Sequence, residues 1–151
     1  MDSDRARVVQ SLKDALEQGV LEARAVFEEL QGSLEGESKS TAGDKHETGR
    51  AMVQLEMEQA AGRMHRMESM VRQWVALDPS CGRSDVRPGA VVRTDMGSFV
   101  IGVALGVFKG PDGEEWRAIS SDAPLAQAML GSRAGGTVEF RGRQWSIEAV
   151  G

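Results

Sequence analysis

Two hydrophobic periods divide the chain. Over residues 4–31, Leu12, Leu16, Val20, Ala23, Phe27 and Leu30 recur every three or four positions and draw one apolar stripe along an α-helix. Ser3 suits its N-cap and Asp4 the positive end of its dipole, and no proline interrupts the run. A second stripe runs through Val53, Met57, Ala60, Met64, Met67, Val71 and Trp74, within a helix expected over about 45–77. Its alternating steps of four and three make the seam of a coiled coil. Asp78-Pro79 stops it, because the residue before a proline is pushed out of the helical region. Between the helices, GSLEGESKSTAGD at 32–44 has the composition of a turn, and two helices joined this way pair antiparallel. At about 1.5 Å per residue the second helix reaches roughly 50 Å. The stripes are the core of a long hairpin with a polar tip, and the methionines of the second helix fill its uneven seam.

Beyond Pro79 the period shortens. PSCGRSDVRPG reads as a linker. Runs of β-type residues follow at Ala90–Arg93, Phe99–Phe108, Trp116–Ser120, Thr137–Phe140 and Gln144–Val150. GPDG at 110–113 and RGR at 141–143 supply hairpin turns. One short helix, Pro124–Leu130, opens on a proline in its first turn and stops at Gly131. The fold class expected is therefore α+β. A helical hairpin covers 1–77, a linker 78–88, and a small bent sheet with one helix 89–151.

Charge changes this picture in one respect. The chain of 151 residues carries a net charge of −5, with 10 Lys+Arg and 14 Asp+Glu in residues 1–77 and 8 and 9 in residues 78–151. Neither half is a basic platform for nucleic acid. No run approaches the roughly 20 apolar residues of a membrane span, and MDSDRARVVQ is the opposite of a secretory signal. Cys81 is the only cysteine, which fits a reducing compartment.

The familiar catalytic signatures are missing: GxxxxGK[ST], GxGxxG, HExxH, CxxC and GxSxG. Both histidines, His46 and His65, belong to the hairpin, so Cys81 has no base in its own half of the chain. Acidity gathers instead at the hairpin tip, in Glu35, Glu37, Asp44 and Glu47. Two carboxylates three residues apart at a helix start face one side and can share a hard cation; Mg²⁺ takes one or two such ligands and fills its octahedron with water and phosphate. The same Asp44-x-x-Glu47 spacing also matches a capping box, in which each carboxylate satisfies free first-turn amides. The two roles coexist, since a capping aspartate keeps one oxygen exposed.

AGDKHETGRAM at 42–52 resembles the hairpin tip of the GreA/GreB family of transcription elongation (transcript cleavage) factors, whose Gly-Asp-x-x-Glu is matched by Gly43, Asp44 and Glu47. ISSDAPLAQAMLGSRAGGTVEF at 119–140 and the run QWSIEAV are similar to that family's FKBP-like domain, and the order of parts is kept along most of the chain. Departures are local. Ala123-Pro124 stands for the usual Ser-Pro, Gly135-Gly136 for Gly-Asp, and Thr48-Gly49-Arg50 follows the tip where Asn-x-Glu-Tyr is usual.

The resemblance implies a divergent cytoplasmic member, monomeric and not itself an enzyme. Its partner is RNA polymerase, and it meets nucleic acid only through that partner. Ser121, Asp122, Pro124 and Leu125 would dock on the rim of the polymerase secondary channel. Asp44 and Glu47, as catalytic and metal-holding residues, would share Mg²⁺ with the polymerase active site and assist hydrolysis of backtracked RNA. Three other readings stay open: a channel-occupying regulator without cleavage, an FKBP-type isomerase or chaperone, and a coiled-coil dimer built on the Met-rich helix. Asp122 has a plainer role open to it too, as the cap of the Pro124–Leu130 helix.

Overall fold

The structure, a computed structural model, describes the backbone of residues 2–38 and 43–151 and the side chains of 4–36 and 47–151. Two long helices, α1 (Asp2–Ser38) and α2 (Gly43–Ala76), precede strands β1 (Val91–Thr94), β2 (Gly97–Ile101), β3 (Gly106–Lys109) and β4 (Glu115–Ile119). A short helix α3 (Pro124–Met129) and strands β5 (Thr137–Phe140) and β6 (Arg143–Val150) complete it. By packing, Met1–Leu16 together with Met70–Gly151 form one compact unit, and Glu17–Ser69 form another.

In the second unit the two helices pair as the stripes require. Ala23, Ala60 and Met67 are buried, and Val20, Phe27, Val53, Met57 and Met64 are half-buried. Gly19 leaves the space that Met67 fills, since a Cβ there would overlap the Met67 methyl group. Arg24 pairs with Glu68 across the helices at 3.5 Å. The turn is shorter than composition indicates. Residues 32–38, read from sequence as loop, continue α1. Each interior glycine costs a helix about 1 kcal/mol, but a helix already nucleated adds a hydrogen bond per residue, and Leu34 prolongs the Phe27–Leu30 stripe by one step and is half-buried. Residues 39–42 lie outside those described. At its other end α1 includes Ser3, the expected N-cap, whose side chain also lies outside those described.

The first unit is built on a six-stranded sheet of order β3-β4-β2-β1-β6-β5. All neighbours are antiparallel except β2 and β4, which run parallel with Phe99 beside Arg117 and Ile101 beside Ile119. The expected run Phe99–Phe108 is two strands, not one. Gly102 (φ +150°) and Gly106 (φ +86°) break it at conformations that side chains avoid. A Cβ at 102 would also overlap Leu77 and crowd the Trp74 ring, so this bend is shaped by the end of α2.

Alternation gives the sheet two different faces. Val92, Phe99, Ile101 and Ile147 point to one side, where α3 closes over them with Ala126 and Met129. Val91, Val100, Phe108, Trp116 and Ala118 are buried on the other. There the first turns of α1 hold the sheet by charge. Arg93 lies 4.7 Å over the Trp116 ring and reaches both Asp4 (3.2 Å) and Glu114 (3.1 Å). The Glu114 hydrogen bond is the main reason the Arg93 guanidinium holds its proton more tightly than usual and the Glu114 carboxyl titrates lower. Arg7 reaches Asp112 at 3.0 Å in the β3–β4 turn.

The deepest tie is Arg5. Only 4% exposed, it donates from Nη1 to the carbonyls of Gly89 (2.8 Å) and Gly151 (2.9 Å) and from Nη2 to that of Pro79 (2.8 Å). Burial lowers its affinity for the proton, with the neighbouring Arg83 as the second cause. Arg83 repeats the device at the surface, donating to the carbonyls of Leu77, Cys81 and Pro88. Residues 78–89 are thereby fixed by side-chain donors in place of a ladder.

Arg5→Leu should lower the stability of the whole chain by about 3 kcal/mol, because it leaves buried carbonyls without donors. In a thermal melt that corresponds to a fall of roughly 6–12 °C. A variant that melts with the wild type would show that water serves these carbonyls equally well.

Candidate functional site

The residues singled out in the sequence fall in two places. Asp44 and Glu47 lie in the first turns of α2, which begins at Gly43, with four residues between it and the end of α1. Three residues apart on a helix, they share a side. Glu47 is exposed, and the side chain of Asp44 lies outside the described residues, as do those of Glu37 and His46. Because α2 includes Gly43, Asp44 sits inside the first turn instead of preceding it. An acidic group is favourable there in either case, against the unpaired amides and positive end of the helix dipole.

Two carboxylates three residues apart at a helix start supply hard oxygen donors but no cage. Among the described residues no three His, Cys, Asp or Glu side chains gather closely enough to hold a metal ion. Such a donor set fits Mg²⁺ only as a shared ligand, with the remaining positions filled by water, phosphate or another protein. Glu35, also exposed, stands one turn before the end of α1.

Ser121, Asp122, Pro124 and Leu125 come together on the turn that leads from β4 into α3. Its backbone is set by Ser120, whose carbonyl accepts from the Ala123 amide (3.0 Å) and whose Oγ accepts from the Asp122 amide (3.2 Å). The Gln127 side chain folds back to the Ser121 carbonyl at 2.7 Å. Pro124 fills the first helical position, where its missing N–H costs nothing. The cap of α3 is Ala123, with no side-chain hydrogen bond, so the capping role open to Asp122 in the sequence is not the one it plays. Its carboxylate is exposed; Leu125 is half-buried against the core. The Gly135-Gly136 turn nearby is held to β6 by two backbone bonds with Ile147, of 2.7 and 2.8 Å.

Beside Pro124 and Leu125 the sheet is uncovered and forms a groove of about 610 Å³. Phe99, Ile119, Phe140 and Trp145 form its apolar lining, while Arg117, Arg141, Arg143 and Glu115 border it. Trp145 meets Phe99 at 5.9 Å and Phe140 edge-on at 6.0 Å, between ring centres. The signal that places them on one face is the alternation of Glu115, Arg117 and Ile119 on β4, which is legible only once the partner of β4 is known to be β2.

No helix among the described residues is long and apolar enough to cross a membrane. No protein-family model matches the chain, and no curated protein matches it. Among solved structures, that of the transcription factor Gfh1 is similar over 91% of this chain and 91% of its own, at 19% identity and a TM-score of 0.38, a likeness too loose to decide fold or function.

Proposed function

We propose that this chain is a cytoplasmic accessory factor of bacterial RNA polymerase of the GreA/GreB kind, acting as a monomer. It docks through the turn at Ser121–Leu125 and presents Asp44 and Glu47 to the polymerase active site, where they promote hydrolysis of backtracked RNA. The observation that carries this reading is the conjunction of two parts in one chain. A Gly43-Asp44-x-x-Glu47 sequence opens the second helix of a long hairpin, and a sheet with an uncapped proline-led helix follows it. Either part alone is common.

The chemistry asked of the chain is modest. Asp44 and Glu47 contribute one side of an oxygen shell and orient a water against the RNA phosphate; the polymerase and the phosphate provide the rest. When Mg²⁺ is held there, it supplies Lewis-acid activation of that water. Acidic groups suit the task, since they attract the cation and have no stable affinity for RNA phosphates. The protein is then not an enzyme but a completion of one.

Asp44→Asn isolates the charge, because asparagine serves a helix start about as well as aspartate does. Added to a halted, backtracked complex of the host polymerase, the wild type should shorten the transcript, and Asp44→Asn and Glu47→Gln should bind without shortening it. Wild-type binding with no shortening at any Mg²⁺ concentration would leave a regulator that occupies the channel, a reading the altered Thr48-Gly49-Arg50 also suits.

Docking is tested separately. Asp122→Trp, which obstructs the turn by bulk, should weaken co-purification with polymerase at least severalfold while leaving the melting temperature within a few degrees, since an exposed substitution changes stability by less than about 0.5 kcal/mol. Undiminished co-purification would remove this turn from the interface.

A further inference from the structure

The groove beside α3 has a charge unlike that of the chain. Its ionisable border is Arg117, Arg141 and Arg143 against Glu115 alone, in a protein of net charge −5. The strand register sets Lys109 opposite Glu115, so one further positive charge flanks the same face. Arg5, Arg7, Arg83, Arg87 and Arg93 each reach an oxygen of the protein. Among the described residues no carboxylate or carbonyl receives Arg117, Arg141 or Arg143; Arg141 lies only against the Phe140 ring, at 5.1 Å. Three exposed guanidinium groups that no oxygen of the described residues receives surround a hollow lined with rings.

We propose that this groove binds an acidic protein segment through one apolar side chain, seated on Phe99, Phe140 and Trp145, with flanking carboxylates on Arg117, Arg141 and Arg143. The inference deepens the docking half of the proposed function and rests on it: it names the chemistry of the partner surface and adds the arginine border to the turn at 121–125. Guanidinium groups take carboxylates in paired hydrogen bonds, and an apolar contact sheltered from water strengthens them. Steering by such a border speeds association and chooses between partners more than it adds affinity.

Single-stranded nucleic acid is the competing occupant for arginines and rings, and the geometry disfavours it. Bases stack on open, parallel ring faces. Here the rings are inclined to one another, 43° for Phe99 and Trp145 and 84° for Phe140 and Trp145. Phe99 is nearly closed to solvent, and the surface continues into Ile119, Ala123 and Leu125. That is a seat for a side chain, not a platform for a base.

Fluorescence anisotropy of labelled synthetic peptides on the full chain tests this. The probes are a peptide with one leucine flanked by glutamates, the same peptide with lysines for the glutamates, one with glycine for the leucine, and a single-stranded oligonucleotide. Only the first should bind saturably, more weakly as salt is raised, and about tenfold more weakly to Arg117→Glu/Arg143→Glu, whose thermal melt confirms folding. The proposal is overturned by equal binding of the lysine or glycine peptide, by unchanged affinity in the charge-reversed chain, by no binding of the first peptide, or by binding of the oligonucleotide in its place. Transcript cleavage separates the two claims. Cleavage without peptide binding sinks the groove alone, and peptide binding without any association with polymerase sinks the functional reading alone.

Discussion

Arg5 sits in the first turns of α1 with its guanidinium almost closed to solvent and three backbone carbonyls around it, those of Pro79, Gly89 and Gly151. These carbonyls belong to the exit from α2, the approach to β1 and the residue beyond β6, so one side chain gathers segments that are 74 to 146 residues away in the chain. A buried charge is tolerated only when its hydrogen-bonding capacity is spent. Because the donors are fixed in a planar fork, the carbonyls must come to them. The Arg83 contacts, the Arg93 pairing with Asp4 and Glu114, and the Gly102 bend against Trp74 and Leu77 all lie on the same side of the sheet or along the segment leading to it.

This constraint divides the labour of the sheet. One face is committed to α1 and α2 through Arg93, Trp116 and their neighbours. The other keeps α3 and, beside it, an open surface. A sheet of six strands has more area than a six-residue helix can cover, and the uncovered part holds aromatic rings and arginines that no oxygen of the described residues receives. Of the residues expected to dock, Pro124 and Leu125 line its margin, and Ser121 and Asp122 precede them on the same turn within this unit.

Much of this was legible in the residues because it depends on period. The two stripes named most buried positions of both helices but not Val8, with Ala60, Met67 and Trp74 the most enclosed of the second. Strand positions were readable to within a residue or two at β1, β4, β5 and β6. The run 99–108 misled because hydrophobicity continues across Gly102 and Gly106, while the bend is imposed by Trp74 and Leu77 from another element. The extent of α1 misled in the opposite way: composition marked 32–38 as turn, though Leu34 carried the helical period onward. Arg5 gave no signal at all. An arginine in a first turn looks like a solvated residue until the carbonyls that surround it are known, and those come from the far side of the chain. The groove was hidden for a related reason, since its lining comes from β2, β4, β5 and β6 and only pairing brings them together.

The central claim is that the start of α2 works inside another molecule. A photo-crosslinking residue at Glu47, an exposed position, tests it in a halted, backtracked complex of the host polymerase with radiolabelled RNA. The account predicts a crosslink to the RNA 3′ segment or to the polymerase segments that hold the catalytic Mg²⁺, lost when an unlabelled wild-type chain competes. Crosslinks confined to the outer surface of the polymerase, or none in a complex that retains the chain, would contradict it.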